Sequence, residues 1–293
     1  MPCGLQGIFY IQNGGIGVHT NLIIVEGIPG SGKSTTAKFI KQHLEREGIE
    51  VKLFQEGDSR HPADYESTAC LNEEQFKGIL EKFPEHRKTI QECAKKKGNQ
   101  YFIPYRDFFE TDSSLVESLA SYDVYELDLD TFEEVSLNYW KEFMEQTEFG
   151  EDVYIFECCF LQNPFTKFIA KHNAEPKRLE NYLMKVSSLI RPLHPLLFYF
   201  YQENIDQSFH RVYEERSQEW REFFTDYHVN QGFGKVNGLK GYQGLLEYLE
   251  MRRDQELKIL GSLPVRHELI ENGDGDWEEY YEKIKEAISF SLS

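Results

Sequence analysis

Residues 22–34 read LIIVEGIPGSGKS, and this stretch combines two patterns. Its first part, 22–26, is a short run of aliphatic and β-branched residues, which is typical of a strand buried on both faces. Its second part, 27–34, matches G-x-x-x-x-G-K-[ST] at every fixed position. A buried strand that runs directly into this loop predicts a backbone whose N–H groups wrap around an anion.

The loop predicts a phosphate-binding site in which the glycines keep side chains away from the backbone N–H groups. Lys33 is expected to reach the β- and γ-phosphates of a nucleotide, and Ser34 to offer its hydroxyl to Mg²⁺. We therefore expect ATP and Mg²⁺ as cofactors. The predicted nucleotide-binding residues are Gly27, Ile28, Pro29, Gly30, Ser31, Gly32, Lys33, Ser34 and Thr35.

A helix is expected directly after the loop, because apolar residues recur at helical spacing (Ala37, Ile40, Leu44) and Gly48 stands where a helix would end. Its positive end would point at the same phosphate oxygens. The alternative is a glycine-rich turn that binds nothing. The complete motif and the flanking elements favour the phosphate site.

Four later segments have the composition of buried strands: Val51–Gln55, Val153–Phe156, Leu196–Tyr201 and His267–Ile270. Helical patterns separate most of them. Strands that alternate with helices predict a parallel sheet covered on both faces. Ligands of such sheets gather at the carboxyl ends of the strands, so polar residues there become candidates for the site.

With this loop and this order of elements, the sequence resembles the P-loop nucleoside and nucleotide kinase-like family, which includes thymidylate-kinase-like enzymes and small-molecule kinases such as chloramphenicol phosphotransferase. The resemblance covers roughly residues 21–57, 152–222 and 264–290. It implies an α/β fold, a three-layer α/β/α P-loop NTPase with a mainly parallel five-stranded sheet. It also implies a large helical insertion after the second strand and a helical lid.

The sequence and the resemblance together suggest a domain plan. Residues 1–20 would be a leader of uncertain structure, and 21–293 a single kinase-like domain. Within it, 58–152 would be an acidic insertion that binds the substrate, and 204–260 the lid and a helical region.

Three acids that follow strands are candidates for catalysis. In kinases that this chain resembles, an acid after the second strand acts as base toward the acceptor hydroxyl, which makes Glu56 and Asp58 candidates. Glu157 ends the third strand, where many relatives carry an Asp that helps to hold Mg²⁺. With Ser34, Glu157 is therefore a candidate metal ligand, although its longer side chain also suits a base. Which of the three acids is the base stays open, and a polar loop that caps the next helix is the alternative for 56–61.

Residues 204–224 are expected to form one amphipathic helix at the position of the lid. By resemblance, Arg211 and Arg216 are the arginines that move onto the transferring phosphate and neutralise charge in the transition state. The alternative is that they are solvated or ion-paired residues of an exposed helix.

The charge of the chain limits its partners. The balance of 32 basic and 50 acidic residues gives a net charge of −18, which disfavours nucleic acid and anionic membranes as partners.

The acidic residues are concentrated in one segment. Residues 101–152 hold fifteen acids and only two basic residues, Arg106 and Lys141, which gives a local net charge of −13. Such a field favours a neutral or cationic small-molecule acceptor, and the interleaved aromatics could hold an amine. The alternative is a solvated acidic helical face whose aromatics lie in the core, and Arg60, Arg87 and Arg106 keep an anionic acceptor open.

The five cysteines form an odd number without a C-x-x-C pair, which favours a reducing cytoplasm. Residues 7–18 make a poor signal peptide, because no basic residue precedes them and polar residues interrupt them.

The sequence thus predicts a kinase that transfers the γ-phosphate of Mg·ATP to a hydroxyl of a neutral or cationic metabolite or antibiotic. Two alternatives remain, a nucleoside or nucleotide kinase and a switch that hydrolyses nucleotide slowly and acts on a protein partner. The switch is disfavoured because neither the N-K-x-D motif of ordinary GTPases nor the L-S-G-G-Q motif of transporter ATPases occurs.

Overall fold

The computed structural model of the chain describes residues 20–147 and 152–292. The leader that we expect at 1–20 therefore lies outside the described residues, apart from Thr20. The chain divides into two compact units, the first formed by residues 1–53 and 148–293 and the second by residues 54–147.

The strands are β1 (Leu22–Gly27), β2 (Val51–Phe54), β3 (Thr68–Asn72), β4 (Lys95–Lys97), β5 (Gln100–Pro104), β6 (Val153–Glu157), β7 (Leu196–Tyr201) and β8 (Arg266–Glu271). The helices are α1 (Lys33–Arg46), α2 (Glu73–Lys82), α3 (Arg87–Cys93), α4 (Ser113–Ala120), α5 (Leu129–Gln146), α6 (Gln162–Phe165), α7 (Pro176–Ile190), α8 (Ile205–Glu215), α9 (Gln218–Val229), α10 (Gly232–Val236), α11 (Gly241–Leu260) and α12 (Trp277–Leu292). Among these described residues, no helix combines the length and the apolar character that crossing a bilayer requires.

The first unit is built on a five-stranded sheet with the order β2-β6-β1-β7-β8. β1 lies in the middle and is buried along its whole length, as its aliphatic sequence predicts. It pairs in parallel with β6 and β7, and β7 pairs in parallel with β8. With the glycine loop after the central strand and helices on both faces, this is a three-layer α/β/α fold with a P-loop, as the sequence predicts.

One face of this sheet packs against α1 and α12. Ile40 and Leu44 of α1 and Ile284 of α12 are completely buried in the same apolar core as the inner side chains of β1 and β6. Phe39 stacks on Tyr281 with 3.8 Å between ring centroids. The helical spacing that predicts α1 therefore corresponds to its buried face.

The expectation of one helix over 204–224 is wrong. α8 ends at Glu215, Arg216 is extended with ψ near 155°, and α9 begins at Gln218. The Ser217 side chain accepts the N–H of Trp220 and caps α9. Because a serine at this position satisfies a free N–H group, two shorter helices replace one.

The second unit contains the predicted helices and also an antiparallel sheet with the order β3-β5-β4, which the sequence analysis does not predict. Cys70 pairs with Phe102, and Lys96 pairs with Tyr101. Apolar residues of this sheet and of helices α2, α3 and α4 form the core of the unit (Ala69, Leu71, Phe76, Ile79, Leu80, Ile90, Ile103, Leu115 and Leu119).

Candidate active site

The glycine loop between β1 and α1 has a backbone that only glycine tolerates at two positions. Gly30 and Gly32 have φ of 82° and 86°, in the left-handed region. A Cβ on Gly30 would lie 2.7 Å from a methyl carbon of Val212, and a Cβ on Gly32 would lie 2.2 Å from the ring of Trp277. Both glycines are therefore required by conformation and by packing.

The amino end of α1 is open. Gly32 caps the helix without a side-chain hydrogen bond, and the first turn contains no acidic residue. The first helical bond of the loop runs from the N–H of Thr36 to the carbonyl of Gly32 at 3.0 Å. The N–H groups that precede Thr36 in α1 are those that an anion at a helix N-terminus binds.

Two side chains of the loop region are buried without a polar partner among the described residues. The hydroxyls of Ser31 and Thr36 make no hydrogen bond, although these residues are only 2% and 0% exposed. Buried hydroxyls are normally satisfied, so these atoms suit a ligand that supplies acceptors. Together with the glycine cradle and the open helix end, they fit the phosphates of a nucleotide.

Lys33 and Ser34 stand at the start of α1 with different partners. The ammonium of Lys33 donates to the carbonyl oxygen of Ile28 at 2.9 Å, so the side chain folds over the loop and is 6% exposed. The hydroxyl of Ser34 donates to a carboxylate oxygen of Glu157 at 2.5 Å.

Glu157 reaches Ser34 because of the strand register. β6 pairs with β1 so that Glu157 lies opposite Val25, two residues before the loop. The carboxylate is 2% exposed. A hydroxyl and a carboxylate side by side are hard oxygen ligands of the kind that Mg²⁺ prefers, so Ser34 and Glu157 fit as the protein's share of a metal site. The structure thus brings together the two residues predicted as metal ligands.

The predicted lid lies over the loop. Val212 of α8 is in contact with Gly30, and Arg211, next to it in the chain, is exposed. Arg216 is also exposed and places its guanidinium 5.3 Å from the ring centre of Trp220. The two arginines therefore stand on different parts of the lid, Arg211 on α8 and Arg216 at the break between α8 and α9.

Glu56 and Asp58 belong to the second unit. Glu56 is exposed, whereas both carboxylate oxygens of Asp58 accept hydrogen bonds from the guanidinium of Arg60, at 3.0 and 2.9 Å. The hydrogen bonds from the Arg60 side chain hold the pKa of Asp58 below its ordinary value. A carboxylate that is already paired and held ionised is a weak proton acceptor.

Some of the acids and aromatics of the second unit have a structural role. Asp112 and Asp128 accept backbone N–H groups at the starts of α4 and α5. Several of the aromatics that the sequence offered for stacking a substrate are buried (Phe102, Tyr105, Phe108 and Trp140). The ammonium of Lys97 lies 4.5 Å from the ring centre of Tyr139 and pairs with Glu142, so a cation of the chain itself occupies this group of rings.

Residues that the sequence analysis did not single out also hold the loop. The side-chain amide of Asn272 donates to the carbonyl of Ser31 at 2.8 Å, and Gln202 donates in turn to Asn272. Asn272 directly follows β8 and Gln202 directly follows β7. The rule that ligand-site residues follow parallel strands would have found both.

Glu26 is a third residue that the sequence analysis did not single out. It is completely buried and accepts three backbone N–H groups from residues 160–162. Burial raises the pKa of Glu26 to about 7, against the lowering effect of the N–H groups of Leu161 and Gln162.

A family model described as "Chromatin associated protein KTI12" matches residues 21–83. This match takes in β1, the loop and α1, and covers well under half of the 293 residues. No protein with a curated description matches the chain. A solved structure of thymidylate kinase from Candida albicans matches 93% of this chain and 94% of that chain, with 14% sequence identity and a TM-score of 0.39. Nucleotide binding therefore rests on the geometry of the loop and on the strand order.

Proposed function

We propose that the chain is an ATP-dependent kinase that transfers the γ-phosphate to a hydroxyl of a neutral or cationic small molecule, a metabolite or an antibiotic. The observation that carries the proposal is the joint placement of Lys33, Ser34 and Glu157 at the open end of α1. Positioning and charge neutralisation are what phosphoryl transfer mainly demands of a protein.

In this proposal, residues 27–35 hold the triphosphate with their backbone N–H groups. The ammonium of Lys33 leaves the carbonyl of Ile28 and binds β- and γ-phosphate oxygens instead. Ser34 and Glu157 would hold a Mg²⁺ ion, which would supply positive charge to offset that of the phosphates. Arg211 and Arg216 approach the transferring group from the lid and exclude water.

Glu56, Asp58 and Glu157 are the candidates for the base. Asp58 is the least suited of them, because the side chain of Arg60 is paired with its carboxylate and holds its pKa below the ordinary value. The base would accept the proton of the acceptor hydroxyl as that oxygen attacks the γ-phosphorus and ADP leaves.

The acceptor class follows from charge. The local balance of −13 in 101–152 repels phosphorylated acceptors and leaves neutral or cationic ones favoured. The odd number of cysteines without a C-x-x-C pair suits a reducing cytoplasm, where we place the protein.

The test is mass spectrometry of a pool of small metabolites and antibiotics after incubation with the protein and Mg·ATP. We expect a species that is heavier by one phosphoryl group with the wild type and with Lys38→Ala, an exposed lysine of the same helix. With Lys33→Ala this species should be absent. A matched set of nucleosides and nucleoside monophosphates distinguishes a nucleotide kinase from a kinase of other acceptors.

Release of inorganic phosphate without any phosphorylated product, at a rate that the pool does not change, would contradict the kinase and favour the slow nucleotide switch. Absence of ATP binding would contradict both.

A further inference from the structure

Glu26 lies in β1, one residue before the glycine loop, and its carboxylate points into the protein. One of its oxygens accepts the N–H groups of Phe160 and Leu161, both at 2.8 Å. The other accepts the N–H of Gln162 at 3.0 Å. Three consecutive backbone N–H groups that converge on one anion form a nest, and here the protein's own side chain fills it.

The turn that Glu26 holds begins directly after Glu157. Cys158 has a φ of 69°, in the left-handed region that a residue other than glycine seldom adopts. Its N–H donates to the carbonyl of Val25 at 3.2 Å, and its carbonyl accepts the N–H of Asn163 at 3.0 Å. A strained residue persists only where its surroundings fix it, and the bonds to Glu26 lie two residues further on.

We infer that Glu26 is a positioning residue for the Mg²⁺·nucleotide site, because it fixes the turn 158–162 and thereby holds the Glu157 carboxylate against Ser34. The inference rests on the proposed function, since it concerns the metal that Ser34 and Glu157 would hold. Groups one shell behind metal ligands orient those ligands, and their loss typically weakens metal binding by roughly 10–100-fold.

A carboxylate is needed here, and an amide of the same shape is not sufficient. Gln in place of Glu26 keeps one acceptor oxygen for Phe160 and Leu161 but turns an NH₂ group toward the N–H of Gln162. Two donors then face each other in a buried place, so this end of the turn must move. Asp in place of Glu26 keeps the charge but shortens the reach by one methylene.

The test compares wild type, Glu26→Gln and Glu26→Asp with Ile284→Ala as the control. Ile284 is completely buried in the apolar core that α12, α1 and the sheet share, and neither Glu26 nor residues 158–162 belong to this core. We therefore expect its truncation to destabilise the fold without changing the site. Affinity for a fluorescent ATP analogue is measured with Mg²⁺ and with EDTA, and hydrogen exchange of the amides of residues 160–162 is measured without nucleotide.

We expect Glu26→Gln to reduce the Mg²⁺-dependent gain in affinity by about tenfold, with affinity in EDTA unchanged, and to speed exchange at 160–162. Glu26→Asp should fall between wild type and Glu26→Gln in both measurements. Ile284→Ala should unfold at a lower temperature and keep the wild-type gain from Mg²⁺.

Faster exchange in Glu26→Gln with an unchanged gain from Mg²⁺ would overturn the inference and leave Glu26 with a structural role only. An equal loss in Ile284→Ala would overturn it as well. If Glu26→Gln does not fold, Glu26→Asp decides between these outcomes. If Mg²⁺ does not change the nucleotide affinity of the wild type, the proposed function is overturned instead. The measurement on the wild type alone distinguishes this outcome.

Discussion

The start of α1 in the first unit differs from the starts of three helices in the second unit. In the first unit, α1 begins at a glycine, without an acidic residue in its first turn and without a side-chain cap. In the second unit, side chains of Asn72, Asp112 and Asp128 cap α2, α4 and α5. The N–H groups at a helix start must be satisfied somewhere, so the uncapped start of α1, which follows the glycine loop, is suited to an anionic ligand.

Two carboxylates that accept backbone N–H groups, Asp128 and Glu26, have opposite pKa shifts. In the second unit, the N–H of Thr131 keeps the pKa of Asp128 below its ordinary value, because this carboxylate is exposed to water. In the first unit, Glu26 accepts three such groups and yet has a raised pKa, because burial outweighs them. Comparing the two shows that hydrogen bonds alone do not decide how a carboxylate titrates.

Adding a methyl group to the glycine loop between β1 and α1 should have the largest effect, a loss of nucleotide affinity. Gly32→Ala places a Cβ 2.2 Å from the ring of Trp277 at a φ of 86°, so the loop must change shape. We expect nucleotide affinity to fall by roughly a thousandfold or more, ~4 kcal/mol, in titrations with a fluorescent ATP analogue.

Gly48→Ala is the matched control, because Gly48 has a φ of 82° and a Cβ there would meet nothing within 4 Å. It should cost about 1–2 kcal/mol of stability for the left-handed backbone and leave nucleotide affinity unchanged. Equal loss of affinity in both variants would mean that strain alone, and not the shape of the loop, controls binding.

The titration of Glu26 should have the next largest effect, a change in the free energy of unfolding with pH. Its pKa is about 7 in the folded protein and 4.5 ordinarily, so between these values the folded state binds one more proton than the unfolded state. Stability therefore falls as pH rises through this window, by about 3 kcal/mol from this group. Denaturant unfolding of wild type and Glu26→Gln at several pH values isolates the effect, since the variant lacks this titration.

Glu256 and Lys33 also act on the charge of Glu26, the first raising and the second lowering its pKa. A difference between wild type and Glu26→Gln that stays constant from pH 4.5 to 7.5 would contradict the burial of an ionisable group at this place.

Removing a cap from the second unit should have the smallest effect. In Asn72→Ala, α2 loses the bond in which the Asn72 side chain accepts the N–H of Gln75 at 2.9 Å. The backbone N–H of residue 72 can still donate to the Gln75 side chain, as it does in the wild type at 2.8 Å. We expect a loss of about 1 kcal/mol in denaturant unfolding and unchanged nucleotide affinity.

Asn138→Ala changes the same residue type at an exposed position inside α5 and serves as the control. It should be neutral or slightly stabilising, because alanine favours a helix interior. A weakening of nucleotide affinity by Asn72→Ala alone would show that the caps are not merely structural.

Local patterns predict the first unit well, and they fail where distant residues decide the structure. The loop, β1 and α1 follow from thirty consecutive residues or fewer, because each position has a fixed role in the motif or the periodicity. β4 consists of three lysines, which have little preference for a strand. This segment is a strand because it pairs with β5.

The site shows the same limit. Ser34 and Glu157 are predicted as metal ligands because each is part of a recognisable element, and the register of β1 and β6 brings them together. The bonds from residues 160–162 to Glu26 span more than 130 positions in the sequence, so no local pattern indicates them. The break between α8 and α9 is local, and Ser217 was a signal that could have been recognised.

The most direct measurement of the central claim is calorimetric titration of wild type, Lys33→Ala and Lys38→Ala with Mg·ATP. If the open start of α1 binds the phosphates, wild type and Lys38→Ala bind equally and Lys33→Ala binds at least about tenfold more weakly. Equal affinity of all three proteins, or no heat of binding in the wild type, would contradict the claim.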